Sequence, residues 1–232
     1  MTSPRHEFTA EETAELLAEL DARLRQRGVS ASIFVVGGAA IAASRTRRER
    51  VTEDVDALTS DPVVLDEAKA LARERGLPEN WLNPNAGMWM PPLPEGVLDQ
   101  PAEPGLRVTY ADDGFLLATK LMAQRAKDAD DVVALAGQLG LKAASPEQLE
   151  AHIRSYYTDP SALEFIVDGS DVDREIGLLA QDASRMLRRT SAGDVDATQA
   201  DPDTTRLRRS TDHERRTSPL RGNDPAPHTP DL

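Results

Sequence analysis

The sequence predicts a mixed α+β fold: a small mixed sheet flanked by helices, followed by a helical C-terminal part. Three observations predict it. Short β-branched and aromatic runs alternate with helical patterns between residues 31 and 110. From Asp113 onward the apolar residues recur at helical spacing instead. Beyond Thr190 the only residues among Val, Ile, Leu, Met and the aromatics are Val195, Leu207, Leu220 and Leu232. Such a stretch buries too little apolar area to offset its ordering entropy, so 190–232 is expected to be a disordered tail. The resulting division is a domain over 1–140, a helical extension over 141–189 and the tail.

Thr9 and Glu12 form a capping box, after which Leu16, Leu17, Leu20 and Leu24 share one helical face until Gly28. ASIFVV at 31–36 reads as a strand that ends at Gly37-Gly38, and AAIAAS reads as a helix. RTRRER at 45–50 is too charged for a core. TEDVDAL then gives a second strand, with Val55 directed opposite to Asp54 and Asp56. Asp61-Pro62 is an N-cap followed by a first-turn proline and opens a helix to Gly76. The Pro-, Asn- and Gly-rich stretch 77–105 reads as a long loop in which Trp81 and Leu82 are packed anchors, with room for a short strand. LRVTY at 106–110 is the next strand. One helix is predicted from Asp113 to about Gly137, another from Ser145-Pro146 through Tyr157, and a third from about Asp171 to Leu187.

Composition bounds the function. With 27 Lys+Arg against 40 Asp+Glu the net charge is -13, which argues against a general nucleic-acid coat. The tail holds six Arg and eight acidic residues, so the folded part carries most of the negative charge. Its arginines read either as a solvated tail or as a contact for RNA or an acidic partner. Absence of cysteine excludes disulfides, thiolate zinc sites and cysteine nucleophiles. The apolar run from Ala31 to Ala43 is too short for a membrane span, and no signal-peptide core follows MTSPRHEF, so a soluble cytoplasmic protein without a membrane partner is expected. His6, His152, His213 and His228 are scattered, and neither a nucleophile elbow nor a phosphate loop of the GxxxxGK[ST] type occurs.

Chemistry concentrates at Asp54-Val55-Asp56. Positions i and i+2 of a strand project to one face, so these carboxylates converge, and two like charges held together call for a cation. Hard oxygen donors in that arrangement suit Mg²⁺ with substrate phosphates completing the shell, and a two-ion site would hold its metals about 3.5–4 Å apart. Gly37 and Gly38 place no side chain in the way of a phosphate, and the helix after them offers free amides. Arg45, Arg47, Arg48 and Arg50, between the two halves of this site, read either as an attractor of triphosphate or RNA or as a flexible charged loop. Arg125, Asp128 and Asp131 recur every three residues, as partners along a helix do; Asp131 alternatively orients Lys120 or the sheet loops.

FVVGGAAIAASRTRRERVTEDVDAL resembles the signature of the minimal nucleotidyltransferase superfamily, the DNA polymerase β-like fold. Its elements are a hydrophobic strand, Gly-Gly, a helix, and a threonine, here Thr52, shortly before Asp-hydrophobic-Asp. LPENWLN and LLATKLMAQRAKDADDVVAL are similar to an uncharacterised bacterial nucleotidyltransferase-like subfamily and, more distantly, to abortive-infection-type nucleotidyltransferase toxins. The resemblance covers roughly residues 10–140. It implies transfer of a nucleoside monophosphate from NTP to an acceptor, with two Mg²⁺ ions on Asp54 and Asp56 and the phosphates bracketed by Gly37 and Gly38. Lys120 matches the lysine of the toxin-like members and would neutralise triphosphate charge; as a plain residue it is a helix-surface lysine. The fifteen residues between Gly38 and Asp54 exceed the most compact members. A third carboxylate falls to Asp112 or Asp113, although Ala-Asp-Asp-Gly is equally an ordinary turn and N-cap.

Two functions compete. The first is an Mg²⁺-dependent nucleotidyltransferase acting on an RNA or tRNA end or a protein hydroxyl, with a toxin paired to an antitoxin protein as one setting. The second is a non-catalytic module of the same fold that docks a partner protein. A DNA-binding regulator is disfavoured by the acidity and by the lack of a recognition helix, so no DNA partner is expected.

Overall fold

A computed structural model describes residues 6–44, 46–47, 49–167 and 171–199, the last nine by backbone alone. Arg45, Arg48 and residues 200–232 of the expected tail lie outside the described residues. The fold is mixed α+β, an open four-stranded mixed sheet with eight helices among the described residues.

Helix α1 (Ala10–Gln26) starts with the Thr9–Glu12 capping box, both reciprocal bonds being present, and buries Leu17, Leu20 and Leu24. It packs on the sheet's last strand and on the helix over Pro62–Arg75. Strand β1 (Ser30–Val35), buried from Ala31 onward, leads directly into the two-turn helix α2 (Gly37–Ala43). Strand β2 (Val55–Thr59) runs antiparallel to β1, pairing Val35 with Ala57. Helix α3 (Pro62–Arg75) is capped by Asp61, whose side chain accepts from the Val63 N–H, and it ends at Gly76 with φ +68°.

Strand β3 (Leu82–Asn83) is the short strand inside the loop and runs parallel to β2. Trp81 fixes it: the indole is buried, donates to the Ala68 carbonyl at 2.9 Å and meets Phe8 across 6.3 Å. A 3-10 turn (Asn85–Trp89) follows, and β4 (Gly105–Tyr110) completes the order β3-β2-β1-β4, lying parallel to β1.

The helix expected from Asp113 to Gly137 is two helices. Helix α4 (Asp113–Ala123) stops where Gln124 takes a left-handed conformation, φ 42° and ψ 37°. A 3-10 turn (Ala126–Asp128) intervenes before α5 (Ala129–Gln138). Pro146 and a Ser145–Gln148 capping box open α6 (Pro146–Tyr156) as expected. An unforeseen helix, α7 (Pro160–Ile166), is started by Asp159 and the proline after it. Helix α8 (Val172–Gln199) lays Ile176, Ala180, Ala183 and Leu187 into the core. Its backbone reaches ten residues past 189, the boundary drawn from composition alone. Residues up to Ser191 form one compact unit. Among the described residues no helix is long and apolar enough to cross a membrane.

Candidate functional site

The turn from β1 into α2 lies beside the start of β2. The Val36 N–H donates to the Asp56 carbonyl at 2.9 Å, which locks the two segments together. Gly37 has φ +62°, and a Cβ there would stand 2.9 Å from Asp56 Oδ2. A Cβ on Gly38 would collide with the Arg50 guanidinium and come within 2.8 Å of Thr52 Oγ1. The glycine pair therefore makes room for this protein's own Asp56, Arg50 and Thr52. Helix α2 has only seven residues, so its dipole adds little at this point.

Asp54, Asp56, Gly37, Gly38, Arg50 and Thr52 all line one cleft of about 600 Å³. Thr52 anchors its floor: it bridges to Phe8, and its hydroxyl donates to the Asp54 carbonyl at 2.9 Å. Asp54 Oδ2 accepts from the Asn83 side-chain amide at 3.0 Å. Burial and the neighbouring Asp54 charge push the Asp56 carboxyl up to about 6, against the opposing charges of Arg125, Lys120 and Lys127. Asp56 is thus half-protonated near pH 6, a state that a bound cation would relieve.

The facing wall comes from α4 and the turn after it. Lys120 is buried, 4% exposed, and its Nζ donates to Asp128 Oδ1 at 2.6 Å and lies 3.3 Å from Asp131 Oδ2. On a continuous helix Lys120 and Asp128 would be separated by about 12 Å along the axis. The left-handed Gln124 turns the chain back and brings them together. Arg125 Nε donates to Asp128 Oδ2 at 2.9 Å, and Lys127 is exposed at the cleft.

Asp131 joins both walls. It accepts from Lys120's side, from Arg47 Nη1 at 2.9 Å and from Arg50 Nε at 3.0 and 3.1 Å. Burial alone would raise its pKa; the Arg50 hydrogen bond and the charges of Lys120 and Arg50 outweigh that and hold the carboxyl below its usual range. Arg47 and Arg50 are consequently anchored rather than free, and Asp131 serves Lys120 and the arginine loop at once. Lys120 is no surface lysine.

Asp112 and Asp113 lie elsewhere. Asp112 caps α4 by accepting from the Phe115 N–H at 2.8 Å, and Asp113 Oδ2 accepts from the Thr46 hydroxyl at 2.9 Å. Neither lines the cleft. Among the described residues the cleft's carboxylates are Asp54, Asp56 and Asp128, and no group of three or more His, Cys, Asp or Glu is arranged to hold a metal.

Asn83, which bonds to Asp54 from β3, and the cleft residues Lys127 and Trp89 escaped sequence reasoning. Asn83 carried a faint signal, since it follows the anchors Trp81 and Leu82 at strand alternation. Lys127 and Trp89 carried none, because a helix break and a 3-10 turn bring them to the cleft. Comparisons with protein-family models, curated proteins and solved structures give no match, so no family is assigned to the chain.

Proposed function

We propose that this protein is a nucleotidyltransferase that moves a nucleoside monophosphate from an NTP to an acceptor hydroxyl of an RNA end or a protein. One observation carries the reading: two adjacent, part-buried carboxylates, one raised to about 6, face three cationic side chains across a single cleft. The donor set fits Mg²⁺, being all oxygen and strained by its own repulsion, and Asn83 already fixes one Asp54 oxygen. Bound on Asp54 and Asp56, Mg²⁺ supplies Lewis-acid stabilisation of phosphate charge.

The chain's own groups do the rest. Arg125 and Lys127 face the negative charge of the triphosphate, and Lys120, held by Asp128, adds a fixed positive charge behind them. Arg50 and Thr52 keep the β2 side of the cleft in place. The acceptor oxygen bonds to the α-phosphorus while the bond from that phosphorus to the α–β bridging oxygen breaks. Pyrophosphate leaves, and the acceptor proton passes to solvent. Asp113, bonded to Thr46, has no role in this scheme.

A second reading, a non-catalytic binding module of the same chain, is favoured by one observation. Apart from Asp54 and Asp56, the only carboxylate lining the cleft among the described residues is Asp128, and Lys120 and Arg125 occupy it. That leaves no third carboxylate to accept the acceptor proton. Label transfer from α-labelled NTPs with Mg²⁺, offered total RNA and then cell protein, separates the two. The first reading expects label that disappears in Asp54→Asn/Asp56→Asn; the second expects none with either protein. Setting the chain in a toxin–antitoxin pair extends the first reading and expects growth arrest on expression that the same double variant relieves.

A further inference from the structure

With nine aromatic residues in 232, the chain leaves two of its largest rings exposed side by side. Trp89 is 50% and Phe165 69% exposed, and their rings stack with centroids 6.4 Å apart and planes 23° from parallel. Trp89 lines the same cleft as Asp54 and Asp56, whereas Phe165 does not, so Phe165 buttresses the indole from outside. The position is fixed by the backbone as well: the buried Tyr157 donates its hydroxyl hydrogen to the Trp89 carbonyl at 2.9 Å. The cleft also carries apolar side chains, among them Ala86, Met90, Met122 and Ile166.

An exposed tryptophan costs hydration free energy unless something covers it, and a flat aromatic platform continuous with a phosphate-sized polar region matches a nucleotide. We propose that Trp89, backed by Phe165, is the stacking platform for the base of the donor nucleotide, with Met90 and Ile166 as its apolar surround. This rests on the nucleotidyl-transfer reading and adds to it where the base lies. Stacking is tolerant of base identity because every base offers a π-face, so the platform predicts loose choice among NTPs.

Calorimetry on the full chain with Mg²⁺ tests this, using ATP and inorganic tripolyphosphate as separate ligands and comparing Trp89→Ala and Trp89→Phe. The expected result is ATP binding about tenfold weaker in Trp89→Ala, near-natural binding in Trp89→Phe, and tripolyphosphate binding alike in all three. ATP and tripolyphosphate binding equally to the natural chain, or ATP affinity unchanged in Trp89→Ala, overturns the base platform and leaves the phosphate site standing. Failure of both ligands to bind the natural chain removes the nucleotide reading itself, and the platform with it. Trp89 lies outside the buried core, and matching melting temperatures of the variants verify that loss of affinity is not loss of fold.

Discussion

At Gly37 a hydrogen stands where any other residue would put a carbon 2.9 Å from Asp56 Oδ2, on a backbone with φ +62°. Gly37→Ala therefore incurs left-handed strain of about 1–2 kcal/mol and displaces the carboxylate besides. The expected outcome is a lower urea midpoint together with weaker Mg²⁺ binding in titration. Asp56 itself makes a pH prediction for the metal-free protein. Its folded pKa is about 6 against an ordinary carboxyl value of 3.8, so between these the folded state binds more protons than the unfolded one. Stability contributed by this group is thus greatest below pH 4 and falls as pH rises to 6. Asp56→Asn removes the cost, and melts should show it more stable than the natural chain by roughly 2–3 kcal/mol at pH 7.5 and by little at pH 4. The clustered carboxylate is then held at a cost in stability. At this scale the sequence was informative: Asp54, in the bend just before β2, and Asp56 within it line one cleft with Gly37 and Gly38, although β2 starts only at Val55. Asn83 was harder to see, because its partner Asp54 lies twenty-nine residues away, just before the neighbouring strand.

The break between α4 and α5 is the element that shapes the cleft's second wall. Nothing in AQRAKDADD forbids a helix, since Gln124 is neither Gly nor Pro; tertiary bonds select the left-handed turn, including Gln124 Nε2 donating to the Leu179 carbonyl. Periodicity cannot register such a turn, so a single helix was the natural reading and Lys120 looked as much a surface residue as a buried one. The packed turn makes Asp131 a keystone for Lys120, Arg47 and Arg50. Asp131→Asn is expected to lower stability by about 3 kcal/mol in chemical denaturation, as breaking a buried ion pair does. Lys120→Met should cost less, because Asp128 keeps Arg125 and Asp131 keeps Arg47 and Arg50. The reverse order of the two variants would show that Lys120 and not Asp131 organises the cluster.

At the scale of the whole molecule, every buried apolar residue among the described residues lies between Phe8 and Leu187. A chain ending at residue 199 is accordingly expected to melt at the natural temperature, with scanning calorimetry as the check. Strand and helix types were legible along this span because apolar periodicity records which face is buried. Chain reversals such as Gln124, and a helix as short as α7, depend on contacts that periodicity does not record. The Arg47 and Arg50 bonds to Asp131 reach across 84 and 81 residues. On a ribosome adding about 5–20 residues each second, Asp131 is made some 4–16 s after Arg50. Through that interval the two arginines have no buried carboxylate to meet, and the cleft has one wall. The cleft is therefore complete only after its second wall has been synthesised, and a stalled chain shorter than 120 residues would carry the Asp54 and Asp56 carboxylates without Lys120, Arg125 and Lys127, the cations that face them.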